Sequence, residues 1–189
     1  MNIYFARHGE SQANLLHEIS NRGLRHGLTP RGREQAAELA RRLENVAVTR
    51  IYSSPLLRAI ETSVILAHHL SLEYEVVDAL REYDCGIAEG RTDAAAWQLW
   101  QELFDAWTIH GQYEQRIEGG ASFLEVRARF VPFIEGLVTQ YAATSAGIIC
   151  VAHGGLYRMM LPLVLPPGEE PGGWPGFDYA GYREVTWAK

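Results

Sequence analysis

Apolar positions along the chain alternate between two periods. Four short segments, residues 3–6, 50–53, 74–77 and 148–152, have the length and β-branched or aromatic content of strands. Between them, apolar residues recur at helical spacing. Ala36, Leu39, Ala40 and Leu43 form one such stripe. It follows Thr29-Pro30, which reads as an N-cap and a proline at the first helical position. Ser54-Pro55 repeats that pair and is expected to open a helix reaching about Leu70. Residues 92–107 predict a helix with Trp97, Trp100, Phe104 and Trp107 on one stripe. Ser122 and Glu125 have capping-box spacing, and Val126, Phe130, Phe133, Ile134 and Leu137 continue them as a long helix, with Pro132 as the expected kink. A further helix follows His153-Gly154-Gly155 to about Val164. Residues 166–176 read as loop and 179–188 as a last edge strand.

Strands alternating with helices predict an α/β fold, a three-layer α/β/α sandwich with a mostly parallel central sheet. The 189 residues suit one domain, with a small helical lid inserted at about 86–120. Three strands run into polar cassettes: Arg7-His8-Gly9, Ser53-Ser54-Pro55 and His153-Gly154-Gly155. Open α/β sheets bind ligands at the carboxyl ends of their strands, so these cassettes are expected to share one crevice.

Composition narrows the chemistry. Hydrophobic residues at 47 % and charged residues at 21 % supply a core without disulfide staples. The net charge of −6 and the lack of a basic stretch argue against a nucleic-acid partner. The sole lysine is Lys189, which excludes an interior P-loop, Schiff-base or Ser-Lys site. Interior cations are therefore arginines or imidazoliums, suited to forked recognition of phosphate or carboxylate. Cys85 and Cys150 form no CxxC and read as free thiols of a reducing cytosol. No apolar run approaches the ~20 residues of a membrane span, and nothing resembles a signal peptide. A cytoplasmic protein without a membrane partner is expected. His17, His26, His68, His69 and His110 lack metal-ligand spacing, so neither a metal nor another cofactor is expected. A homodimer is allowed but not demanded.

The crevice would gather Arg7, His8, Arg58 (one turn into its helix) and His153. Two guanidinium groups and two imidazoles make an anion pocket, and the glycines after each histidine, Gly154 among them, let the backbone approach and offer N–H donors. Tetrahedral phosphate is the natural guest. A histidine beside it becomes a nucleophile if its other ring nitrogen is fixed as a donor.

These residues also resemble a known pattern. Arg7-His8-Gly9-Glu10 with Asn14 is similar to the signature of the histidine phosphatase superfamily, the phosphoglycerate-mutase-like proteins of branch 1. The similarity continues through Leu28-Thr29-Pro30-x-Gly32-x-x-Gln35-Ala36, then Ser53-Ser54-Pro55-Leu56-x-Arg58-Ala59-x-x-Thr62. Leu80-Arg81-Glu82 with Gly86 and Glu89-Gly90 comes next, and Val151-Ala152-His153-Gly154-Gly155 last, all within residues 1–160 and in the family's order. The resemblance implies a metal-independent phosphomonoester hydrolase acting on a small phosphorylated metabolite. It implies His8 as the phosphorylated nucleophile. Arg7, Arg58 and His153 would clamp the phosphoryl oxygens with Asn14 assisting. Glu82 would be the general acid and then base, a role that requires a raised pKa. Glu10 is expected to brace its loop rather than react.

The alternative is mutase-type transfer between hydroxyls of a phosphorylated metabolite. Water is favoured as acceptor by the short tail after His153. It is favoured too by a lid segment, residues 92–115, that has no Lys or Arg but carries Asp93, Glu102, Asp105 and Glu114. An acidic, aromatic lid suits a substrate with a second strong anion poorly. The tryptophan stripe is expected to be core; a ring facing the crevice would instead suit a leaving group with an apolar or sugar-ring face. Two departures stand out: Gly120-Ala121-Ser122 replaces the family's Gly-Glu-Ser, and the segment from Gln12 to Gly27 lacks the tryptophan-rich loop of mutases. An inactive phosphate-binding module and a protein-phosphohistidine phosphatase are weaker rivals.

Overall fold

The computed structural model describes residues 1–169 and 178–187. In chain order the elements are β1 (Asn2–Arg7), α1 (Gln12–Leu16), α2 (Pro30–Leu43), β2 (Val48–Ser53), α3 (Leu57–Leu70), β3 (Tyr74–Val76), α4 (Ala94–Thr108), α5 (Phe123–Tyr141), β4 (Gly147–Ala152), α6 (Gly154–Met160) and β5 (Tyr182–Thr186). Single 3-10 turns lie at Asp78–Leu80, Gly86–Ala88 and Leu161–Leu163. The strands form one sheet in the order β3-β2-β4-β1-β5, parallel except for β5, which runs antiparallel along β1.

Alternation along the central strands sorts the apolar side chains onto two faces. Ile3, Phe5, Ile148, Cys150 and Ala152 point into a cluster completed by α4, α5 and α6 through Leu103, Trp107, Phe130, Ile134, Leu156 and Tyr157. Tyr4, Ala6, Ile149 and Val151 point the other way, onto Leu39, Leu43, Ala59 and Leu66 of α2 and α3. Every residue of β4 is buried, as a strand covered on both faces must be. The fold is thus the α/β/α sandwich expected, with β4 between β1 and β2. Among the described residues no helix is long and apolar enough to cross a membrane.

The local signals hold with three instructive exceptions. Thr29 caps α2 by accepting from the Gly32 N–H at 2.9 Å, and Ser122 and Glu125 close the capping box of α5. Ser54-Pro55, however, does not cap α3: the helix starts at Leu57 behind Leu56, with no side-chain cap. The Ser54 hydroxyl accepts from the Leu56 N–H at 3.3 Å, ahead of the helix, and reaches into the site, as described below. Pro132 leaves α5 one continuous helix from Phe123 to Tyr141; it sits at an exposed position, where water can satisfy the carbonyl it orphans. The α-helix after His153 ends at Met160, and Pro162, which cannot continue an α ladder, sits in a 3-10 turn. Of the loop expected at 166–176, residues 170–176 lie outside the described residues. The late edge strand is β5.

Candidate active site

The carboxyl ends of β2, β4 and β1 lie side by side, with Ser53 paired to Val151 and Arg7 to Ala152. The residues just beyond keep that register briefly: His8 N–H donates to the Ala152 carbonyl at 3.1 Å and Ser54 N–H to that of Val151 at 2.9 Å. The three polar cassettes therefore meet. The His8 and His153 ring centroids are 5.1 Å apart, and Arg7, His8, Asn14, Arg58, Glu82, His153 and Gly154 all line one cavity of about 350 Å³.

Close backbone crossings position His8. A Cβ on Gly9 would lie 2.3 Å from the Gly32 carbonyl, and one on Gly32 would lie 2.0 Å from the Glu10 carbonyl. The turn after β1 can thus rest on the start of α2 only with glycine at both places. Thr62 accepts from the Gly9 N–H at 3.2 Å, and Gln35 Oε1 accepts from the Glu10 N–H at 2.8 Å. Glu10 itself accepts from the Thr29 hydroxyl at 2.8 Å, so it braces the loop.

The buried His8 ring has both nitrogens engaged. Its Nδ1 lies 2.7 Å from the Gly9 carbonyl, which can only accept, so Nδ1 carries the proton. Its Nε2 accepts from Arg58 Nε–H at 3.1 Å and therefore presents a lone pair. Burial, then the charges of Arg58 and Arg7, hold the His8 pKa well below the usual imidazole value, and the ring stays neutral. Nδ1 donating and Nε2 unprotonated is the tautomer a nucleophilic histidine needs.

Arg58 is also buried. Besides His8 it donates to the Ser20 carbonyl at 2.7 Å and to Asn21 Oδ1 at 3.3 Å, all of them neutral acceptors. Burial lowers its pKa to about 10. A buried cation bonded to neutral groups is costly, and an incoming anion offsets that cost. Arg7 is partly buried, with its guanidinium carbon 4.3 Å from the centre of the Tyr179 ring. Gly154 opens α6 against Arg7, where a Cβ would sit 3.5 Å from Nε. His153 places Nε2 2.6 Å from the Ser54 hydroxyl, while its buried Nδ1 has no partner among the described residues. Burial, then Arg58, keeps this ring neutral too. Asn14 lines the cavity, but its Oδ1 accepts from the Ser11 N–H and hydroxyl, leaving its NH₂ end as the available donor.

Glu82 is buried beside this cluster. Its oxygens accept from the Tyr83 N–H at 3.1 Å and the Gly155 N–H at 3.0 Å. A Cβ on Gly155 would lie 2.7 Å from Glu82 Oε2, which explains the second glycine after His153. Burial raises the Glu82 pKa; the two N–H donors and the charges of Arg58 and Arg129 pull only partly against it.

The sequence reading missed several residues. Ser54 and Asn21 hold His153 and Arg58, and Arg129 donates to the carbonyls of Asp78, Ala79 and Glu82, fixing the segment that carries the carboxyl group. Arg158 lines the cavity; its position four residues after Gly154, on the same helix face, was a usable signal. The aromatic stripe divides. Trp107 is core, packed on Tyr83 and Phe123, whereas Trp97, Trp100 and Phe104 line the cavity. Asp93, Glu102, Asp105 and Glu114 do not line it, so the acidity expected of a lid does not reach the ligand space. Asp93 pairs with Arg91 at 2.7 Å, and Glu102 and Asp105 accept from glutamines on α4 itself.

Residues 3–189 match the histidine phosphatase superfamily (branch 1). A 6-phosphofructo-2-kinase/fructose-2,6-bisphosphatase of Gallus gallus is 31 % identical over 170 residues, 89 % of this chain and 33 % of that protein. The chain spans about a third of the length of the curated relatives it matches. A mycobacterial glucosyl-3-phosphoglycerate phosphatase, solved with VO3, superposes with a TM-score of 0.77 at 26 % identity, over 98 % of this chain and 90 % of that one. The alpha-ribazole phosphatase of Shigella flexneri gives 0.76 at 25 % identity, with the same coverages. With residues 3–189 matched by the family model, the chain belongs to the histidine phosphatase superfamily, branch 1.

Proposed function

We propose that this enzyme hydrolyses a small phosphomonoester through a phosphohistidine on His8. The observation that carries the reading is the His8 tautomer, Nδ1–H held by the Gly9 carbonyl and Nε2 unprotonated, facing Arg58 in a buried, cationic pocket. The phosphoryl group enters among Arg7, Arg58, His153 and Asn14, and Arg58 Nε–H moves from His8 to a phosphoryl oxygen. His8 Nε2 attacks phosphorus, the P–O bond to the leaving group breaks, and the Glu82 carboxylic acid gives its proton to the departing oxygen. Glu82, now a carboxylate, takes a proton from water as the water oxygen attacks phosphorus. The P–N bond breaks, inorganic phosphate leaves, and neutral His8 and protonated Glu82 are restored. The arginine forks meet the charge spread over the transferring group, the task magnesium performs in other phosphoryl transferases.

Hydrolysis is preferred over mutase transfer because relatives and neighbours carry phosphatase names, for glucosyl-3-phosphoglycerate, alpha-ribazole phosphate and fructose 2,6-bisphosphate. The deciding assay follows phosphate release from phenyl phosphate beside interconversion of phosphoglycerates. The expected result is phosphate release dependent on His8 and unaffected by chelators; dominant interconversion overturns the choice of water as acceptor.

A further inference from the structure

The cavity extends beyond the His8 cluster along α4, and its far wall has a composition of its own. Trp97 is fixed there by its indole N–H, which donates to the His17 carbonyl at 2.9 Å. Trp100 meets it edge to face at 5.9 Å and stacks on Phe104 at 5.5 Å, with 20° between the planes. The guanidinium carbon of Arg158 lies 4.3 Å from the centre of the Phe104 ring. Arg158 stands one helical turn up α6 from Gly154, on the same face, its backbone about 6 Å further along the helix axis.

Arg158 differs from Arg58, the buried cation of the cavity. Arg58 spends its donors on Ser20, Asn21 and His8. Arg158 is exposed and, among the described residues, is held through a ring face with no acceptor on its N–H groups. Glu18, the acidic residue on the wall outside the His8 cluster, is occupied by His26 at 2.9 Å and Arg25 at 3.6 Å. A stacked cation whose five donors are unclaimed, facing a ligand space, is arranged to receive a planar anion. The adjoining aromatic faces suit a ring.

We propose that Arg158, with Trp97 and Trp100, forms a leaving-group subsite. It selects phosphomonoesters whose leaving group is a ring carrying a carboxylate. The proposal rests on the reading of His8 as the reacting end, and it reverses the sequence-based expectation that a second anion is unwelcome.

The test compares phenyl phosphate with 4-carboxyphenyl phosphate on the full chain, as wild type, Arg158→Met and Arg158→Lys. Wild type should show the higher kcat/KM on the carboxylated ester, an advantage that shrinks as salt is added. Arg158→Met should cut the ratio of the two kcat/KM values about tenfold, and Arg158→Lys should keep part of it. Equal hydrolysis of both esters by wild type, or a ratio the substitution to Met leaves in place, overturns the subsite while leaving the phosphatase reading standing. Failure to hydrolyse either ester overturns both.

Discussion

At one end of the cavity hydrogen bonds of 2.6 to 3.3 Å join Arg58 to His8 and Asn21, and His153 to Ser54. At the other end the wall consists of aromatic rings from α4, with a single arginine held by a ring face. The first end is over-determined: three strand ends, two glycine crossings and a threonine fix the position of one imidazole nitrogen. The second is set by side chains on two helices that make few polar commitments. The contrast implies a division of labour, in which the sheet fixes the reacting geometry and the helices set what is attached to the phosphate.

Four perturbations separate the two ends, in order of expected size. Removing the nucleophile, His8→Gln, should lower kcat by ~10⁴ or more, the scale seen when a covalent catalytic unit is broken. Changes on α4 should instead act through KM and substrate preference. Next, Glu82→Gln should cost ~10²–10⁴ in kcat/KM, the range for general acid–base catalysis. It should also remove the alkaline limb of the pH profile. That limb arises because activity needs protonated Glu82, whose pKa is raised, while neutral His8 persists to well below the usual imidazole value, so the optimum falls on the acid side.

A smaller effect is expected from Asn21→Ala, which takes one acceptor from Arg58. A hydrogen bond to a charged group is worth ~1.5 kcal/mol, so kcat/KM should fall about tenfold, with the rank order of leaving groups preserved. An altered rank order would dissolve the distinction between the ends.

The least direct effect is on stability. Unfolded imidazoles titrate near the usual value of 6.5, and both buried rings lie well below it. Acidification below about pH 6.5 therefore protonates the unfolded chain first, and stability falls as pH drops through that window. Glu82 works in the opposite sense: its native pKa is raised, so stability falls as pH rises from the unfolded carboxyl value through the native one. Melting curves between pH 7 and 5 should fall less steeply for His8→Gln than for wild type. An equal slope would mean that the His8 ring is not held neutral.

The sequence made the first end legible because its residues sit directly beyond strands that short apolar runs reveal. Arg7, His8 and His153 could be placed by counting to a strand end, and Glu10 by its neighbourhood. Glycine told the same story twice, as Gly9 and Gly155 mark close approaches to Gly32 and Glu82. What escaped was decided in three dimensions. Ser54-Pro55 reads as a helix cap, but at 2.6 Å from His153 its hydroxyl is taken by a buried imidazole, and the helix begins at Leu57. Asn21 sits in a loop with no periodicity to place it. The stripe on α4 could not be divided into core and cavity, because one helical face passes from Trp107, packed on Tyr83, to Trp97 at the ligand space. Likewise the carboxylates of residues 92–115 counted toward an acidic lid, although none of them lines the cavity.

The claim on which the rest depends is that His8 Nε2 forms a bond to phosphorus. Mixing the enzyme with a ³²P-labelled phosphomonoester and quenching within one turnover tests it directly. The account predicts label on the protein that survives alkali, is lost in acid, maps to the peptide containing His8 and is absent in His8→Gln. Turnover at the wild-type rate by His8→Gln, or label that maps to another residue, would contradict it.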